Sequence, residues 1–373
     1  MTIQIERLVD RFIRYCKVNT PPKSERPLAD LVEKELVELG LDCTRDRVHE
    51  ITGGDSGNLI ATLKGNAPGI PIFFSAHFDT VAPNPGVHVL VDGDIVRSDG
   101  NSILGADDKG PMASIVEAIH SLIEEGEPHG DIQLLFSVSE EIGLLGATHL
   151  DLGKVHAEFG FVLDSGPPMG SVVTSAPSQT NLYITVYGRP AHAGAEPEKG
   201  VSAIGIAASA IERMRLGRID DETTANVGVI AGGSATNIVC PRVDIRAEAR
   251  SRDRQKLTNQ VEHMKSCFEV AASARGGLVE IEIVPMYVTY MLNEEEPPVS
   301  VALDVAGQLG LPAITRAAGG GSDANAYNAR GLKCCVLATG MRDIHTHEEN
   351  IAISDLVTSA QMIRQIIRFV ARQ

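Results

Sequence analysis

Tryptophan is absent from the 373-residue sequence, and aromatic residues supply only 4% of it. Any core must therefore be filled mainly by Ile, Leu, Val and Ala. No cluster of Lys and Arg stands out, and the formal net charge is -16. That balance argues on electrostatic grounds against nucleic acid or anionic membranes as partners. Long apolar runs are missing too, since the most apolar stretch, Val201 to Ile211, is too short to span a bilayer. The N-terminal MTIQIERLVDRFIRY carries charge throughout and lacks the apolar run and cleavage site of a signal peptide. Six cysteines, at positions 16, 43, 240, 267, 334 and 335, show no CxxC spacing. They read as reduced thiols, which makes the cytosol the expected compartment. Low-complexity segments and internal repeats are absent. A GxGxxG after a strand and a Walker motif are also missing, which weakens a nucleotide-binding reading.

The remaining composition is that of an ordinary globular chain, 43% hydrophobic and 22% charged, long enough for one large domain or two ordinary ones. Residues 3–18 place Ile3, Leu8, Val9, Phe12 and Ile13 at helical spacing, and Pro27 to Leu39 repeats the pattern up to Gly40. Asn58–Leu63 and Ile72–Ala76 read as strands. A hairpin follows in VLVDGDIV, with its turn at Asp92-Gly93. Met112, Ile115, Val116, Ile119 and Ile123 form a helical stripe that starts near Pro111 and closes at Gly126. Ile132–Val138 and Phe159–Leu163 are buried-strand runs. Helices alternating with such strands predict an α/β sheet.

Between 177 and 289 the order changes. Strand 182–187, helix 201–213, strands 224–230 and 243–249, helix 254–271 and strand 279–284 spell β-α-β-β-α-β, a ferredoxin-like unit. The α/β pattern then resumes with helix 299–309, strand 334–338 and a terminal helix capped by Ser354. The expected architecture is a discontinuous catalytic domain, 1–176 and 290–373, with 177–289 inserted as a second domain.

Residues able to do chemistry gather where these elements end. The strand IFFSAH runs into His77-Phe78-Asp79, whose alternate side chains share a face. A histidine bound to metal and a carboxylate that orients it would use that spacing, although a satisfied histidine at a strand end would look the same. LGADDKG at 104–110 precedes a helix, so Asp107 and Asp108 are either caps or carboxylates able to bridge cations. Strand 132–138 leads into Glu140-Glu141, where one glutamate could ligate metal and its neighbour act as general base. Asp164 follows strand 159–163 as a ligand or a turn-former. Strand 334–338 leads into Ile344-His345-Thr346-His347-Glu348-Glu349, which carries an HxH pattern. Singly these signals are weak. Jointly they matter, because ligands cluster at strand ends in α/β proteins. Histidines and carboxylates without a thiolate suit a pair of Zn²⁺, Co²⁺ or Mn²⁺ ions, with zinc the first expectation.

In these motifs the chain resembles the M20 family of metallopeptidases, and within it the peptidase T-like (tripeptide aminopeptidase) branch. The likeness runs through HFDT at 77–80, SDGNSILGADDKG at 98–110, SEEIG at 139–143 and LDSG at 163–166. It continues in GRPAHAG at 188–194, GGSATNIV at 232–239, GGGSDAN at 319–325 and IHTHEE at 344–349. The branch rests on LGADDKG and GGGSDAN. The resemblance implies that Asp107 bridges two divalent cations, with His77 and Asp164 completing one site and Glu141 and His345 the other. His345 is preferred to His347 because the family pattern sets its ligand four residues before a glutamate, here Glu349. Glu140 would be the general base, Asp79 would orient His77, and the Asp107–Asp108 peptide would be cis. His192 would donate to the tetrahedral oxyanion, and Asn237 and Arg250 would bind substrate. In GGGSDAN a close backbone approach to a peptide would involve Gly320, Ser322 and Asp323. The inserted domain would be a lid and a homodimer interface. The implied activity is hydrolysis of an amide bond in short peptides, releasing the N-terminal residue of tripeptides. Alternatives on the same scaffold are a dipeptidase, a carboxypeptidase or an N-acyl amino acid deacylase. A catalytically silent binding homologue is the alternative of a different class.

Overall fold

A computed structural model describes residues 3–81 and 85–372. The chain divides into two compact units. One comprises Met1–Ser175, Met291–Ala318 and Ser322–Gln373, and the other comprises Ala176–Tyr290 and Gly319–Gly321.

The larger unit is a mixed α/β structure. In its main sheet the strands run Asp42–Arg45, Leu59–Leu63, Ile132–Ser137, Ile72–His77, Phe159–Val162, Cys334–Leu337 and Ser171–Ala176. Ile72–His77 pairs in parallel with both Ile132–Ser137 and Phe159–Val162, and Cys334–Leu337 continues the parallel block. Every residue of these strands is buried. That explains their unbroken apolar sequence, since parallel strands are covered on both faces. The scarcity of aromatic side chains is offset locally by phenylalanine pairs such as Phe74–Phe161, stacked at 5.5 Å. Gly160 is fixed by this packing, because a Cβ there would meet the Phe73 ring at 2.2 Å.

Helix Ala106–Glu125 is buried along most of its length. It is gripped by the terminal helix Ile353–Val370, whose fully buried Arg364 pairs with Glu125 and Glu127. The N-cap of that terminal helix is Ala352, the last residue of strand Asn350–Ala352, which pairs with the hairpin strand Ile95–Ser98. Ser354 is therefore not its cap. It lies inside the first turn and bonds instead to the Asp94 carboxylate of the hairpin turn.

The smaller unit is an antiparallel sheet in the order Gly217–Arg218, Thr223–Gly232, Arg242–Ser251, Ser178–Tyr187 and Leu278–Tyr287. Helices Ala203–Arg213 and Arg254–Arg275 pack over one face around Leu182, Ile184, Met264 and Phe268. The order of its four long strands is that of a ferredoxin-like β-α-β-β-α-β unit. Among the described residues no helix is long and apolar enough to cross a membrane.

Candidate functional site

Parallel strands present their carboxyl ends to one edge of a sheet, and there the larger unit gathers its ionisable side chains. His77 closes strand Ile72–His77, Glu140 and Glu141 follow Ile132–Ser137, and Asp164 follows Phe159–Val162. Asp107 precedes the body of helix Ala106–Glu125. It and Asp108 depart from helical backbone angles and are joined by a cis peptide bond. The helix proper thus starts beyond them, and their side chains are free for work other than capping.

The Asp107 carboxylate faces two imidazoles at once. His77 Nε2 lies 3.1 Å from its Oδ1, while His345 Nε2 lies 3.2 Å from its Oδ2. His345 Nε2 is also 3.2 Å from Glu141 Oε1. The groupings close enough to share a cation are His77–Asp107–Asp164, His77–Glu140–Glu141 and Asp107–Glu141–His345. His347 joins none of them. The cluster is open on one side, since His345 is 48% exposed while His77 and Asp107 are buried.

An outer set of carboxylates holds the backbone that carries these groups. Asp108 accepts the His77 N–H at 3.1 Å. Asp79 accepts the Glu140 N–H at 2.9 Å and the Glu141 N–H at 3.0 Å. Glu349 accepts the Gly105 N–H at 2.7 Å and the Asp107 N–H at 2.9 Å. The expectation that the Asp79 carboxylate orients His77 changes in detail. Nδ1 sits 3.0 Å from the Asp79 backbone carbonyl but 3.6 Å from its carboxylate. The carbonyl thus fixes the ring, and the carboxylate fixes the glutamate turn. Asp108 and Glu349 were legible only as neighbours of a motif, because a side chain that holds distant backbone leaves no periodic signal.

Electrostatically the centre is overloaded with negative charge. Burial and repulsion from Asp107 push Asp164 up to about 8. Burial, with Asp164 and Glu141 nearby, raises Glu140 well above the usual carboxylate range. Burial also raises Glu141. Asp107 goes the other way, because hydrogen bonds from His345 and His77 outweigh its burial. His345, bonded to Asp107 and Glu141, is pushed up to about 10. Buried carboxylates that repel one another beside imidazoles they hold protonated fit divalent cations, which would replace the protons.

The expected substrate residues lie on helix Asp323–Ala329 and in the smaller unit. Ser322 caps helix Asp323–Ala329 in a capping box with Asn325. Asp323 is buried and accepts a hydrogen bond from Ser137 Oγ. The local sequence GGGSDAN thus starts a helix rather than forming only a glycine loop. In the smaller unit Arg250 pairs with Glu248 at 3.0 Å and its guanidinium lies near Gly320, while Asn237 is exposed. His192 is exposed too. Its Nδ1 accepts the Gly194 N–H at 3.2 Å and the Ala195 N–H at 3.1 Å. An Nδ1 that accepts leaves the proton of the neutral ring on Nε2, as a donor.

The sign of the pH dependence follows from these shifts. Asp164 at about 8 and Glu349 at about 7 keep protons in the folded chain that the unfolded chain has lost by about pH 5. His345 at about 10 likewise outlasts its unfolded counterpart above about pH 6.5. Each contributes stability that falls as pH rises. Chelator-stripped protein should therefore melt at lower temperature at pH 8 than at pH 5, with the difference shrinking in saturating Zn²⁺. Thermal melts across that range check it, and a stripped protein at least as stable at pH 8 would refute the assignment.

Residues 73–368 match the peptidase family M20/M25/M40. The chain is 42% identical to the uncharacterized protein YqjE of Bacillus subtilis (strain 168), covering 98% of this chain and 99% of that one. A solved tripeptidase from Staphylococcus aureus subsp. aureus mu50 is 37% identical, with a TM-score of 0.95 and 100% of both chains covered. The solved aminopeptidase PepT from Bacillus cereus ATCC 10987 is 42% identical, with a TM-score of 0.88 and 99% of each chain covered. With the family matched over most of its length and these relatives along nearly all of it, the chain belongs to peptidase family M20/M25/M40, as a peptidase T-like metallopeptidase.

Proposed function

We propose that the chain is a two-metal aminopeptidase that releases the N-terminal residue of tripeptides. The observation carrying this reading is the Asp107 carboxylate, whose two oxygens face His77 and His345 separately, each histidine belonging to a group with its own further carboxylate. His77 and Asp164 would hold one cation, Glu141 and His345 the other, and Asp107 both. Zinc suits this nitrogen and oxygen set, as do cobalt and manganese. The tripeptidase and PepT aminopeptidase to which the chain is similar supply the substrate class.

Bound cations would supply an acidified water and a polarised scissile carbonyl. The chain's own residues do the rest. Glu140 is buried beside His77 and Glu141, with its proton affinity raised, so it suits a base that accepts a proton and later returns it to the leaving amine. The two amides on either side of its side chain's attachment, its own and that of Glu141, are pinned by Asp79. His192, with its proton on Nε2, suits a neutral donor to the oxyanion. Six free cysteines accord with a reducing, cytoplasmic setting.

The inserted unit is assigned as lid and homodimer interface. Gly217–Arg218 pairs with strand Thr223–Gly232 only at Thr224 and Ala225, so among the described residues Asn226–Gly232 form an open edge, which exposes Val229 (47%) and Ile230 (54%). An uncharged open edge of this kind suits strand pairing with a second copy.

Glu140→Gln should lower kcat by ~10²–10⁴-fold, with metal content unchanged. His192→Ala should lower it by ~10²–10³-fold. Near-normal turnover in either would remove that residue from the mechanism. Stripped and reloaded protein, given di-, tri- and tetrapeptides, N-blocked tripeptides and N-acetyl amino acids, should release N-terminal residues from free tripeptides alone. Cleavage confined to dipeptides or N-acyl substrates would move the substrate class. Light scattering should find a dimer that Ile230→Lys dissociates, and a monomeric wild type at micromolar concentration would sink the interface.

A further inference from the structure

The family match begins at residue 73, so it leaves the first helices and the loop between them without an assigned part in the chemistry. That loop follows helix Ile5–Cys16 and ends at the start of helix Arg26–Glu38. Within it, residues 18–25 touch the backbone or flank of several segments that build the metal centre.

The fully buried Lys109, two residues past Asp107, donates from Nζ to the Val18 carbonyl at 2.7 Å. Thr20 Oγ1 donates to the Phe78 carbonyl at 2.8 Å, and the Thr80 N–H returns a bond to the Thr20 carbonyl at 3.0 Å. These bonds bracket Asp79. Glu25 then reaches the glutamate turn. Its Oε1 accepts the Ser139 N–H at 2.9 Å and the Ser139 Oγ–H at 3.0 Å, together with the Lys23 N–H at 2.9 Å. Ser139 has φ +55°, a left-handed conformation that a serine adopts only when its surroundings impose it. With Asp79 holding the next two amides, the consecutive N–H groups of Ser139, Glu140 and Glu141 all end on buried carboxylates.

We infer that the 18–25 segment is a strap across the back of the metal centre, and that Glu25 is a positioning residue setting Glu140 and Glu141 through Ser139. The inference rests on the two-metal reading of the site. Glu25 is completely buried, so its carboxylate meets no substrate and acts only through the turn. Its Oε2 makes no hydrogen bond. The function therefore lies in one acceptor oxygen rather than in the full charge, and a glutamine can keep that oxygen. An alanine cannot, and it frees the Ser139 amide to leave its left-handed position, moving the base and a metal ligand together.

The test uses the full chain with Glu25→Ala and Glu25→Gln, stripped with chelator and titrated with Co²⁺. The visible Co²⁺ spectrum, the Co²⁺ affinity, the melting temperature, and kcat and KM on a tripeptide are read for each. Glu25→Ala should weaken Co²⁺ binding and lower kcat at saturating Co²⁺, each by ~10–100-fold, with an altered spectrum and KM nearly unchanged. Glu25→Gln should restore spectrum and kcat close to wild type. A wild-type spectrum and kcat in Glu25→Ala overturns the inference. So does equal impairment of both variants in step with a lowered melting temperature, which would make Glu25 a matter of stability alone. Should Glu25→Ala not fold, Ser139→Ala reads the same contact, with an expected kcat loss of about fivefold for one hydrogen bond and wild-type kcat as the contrary result. If wild-type protein cleaves no peptide, the proposed function falls, while the Co²⁺ spectra still decide the place of Glu25.

Discussion

A buried carboxylate needs either positive charge or hydrogen-bond donors around it, and backbone N–H groups are donors that carry no charge of their own. The metal centre is organised by that alternative. Asp79, Asp108, Glu349 and Glu25 each accept hydrogen bonds from backbone amides. Asp107, Glu141 and Asp164 are left facing one another and the histidines. The outer carboxylates thus fix where the inner ones sit without competing for the same cations. They also add to the negative potential that favours cations at the centre. The fold supplies what this needs, a buried parallel sheet whose strand ends deliver each side chain to one edge.

Much of the inner group could be read from the chain because strand ends are readable. His77, Glu140, Glu141 and Asp164 each follow a run of apolar residues that only a covered strand would carry. Asp107 was ambiguous in sequence, because acidic residues before a helix also cap helices, and only the non-helical backbone at 107 and 108 separates the two roles. The outer group was barely legible. Glu349 lies 242 residues from the amide it holds on Asp107, and Glu25 lies 114 from Ser139. A contact between one side chain and a remote backbone group has neither period nor motif. Ser354 was misread for the converse reason. Its local sequence fits several turn and cap geometries, and tertiary packing chose among them.

His192 shows the same economy in the smaller unit. Its Nδ1 accepts two backbone N–H groups, which leaves Nε2 as the donor of the neutral ring.

The order of the ligands along the chain has a consequence for the protein's birth. His77 is made before the ferredoxin-like unit, yet the Asp107 carboxylate has its second histidine only after it, at His345. Between them the whole ferredoxin-like unit must emerge and fold. Strand Cys334–Leu337 and the terminal helix that grips helix Ala106–Glu125 also come last. A nascent chain therefore lacks the second imidazole facing Asp107 until the ferredoxin-like unit has been made.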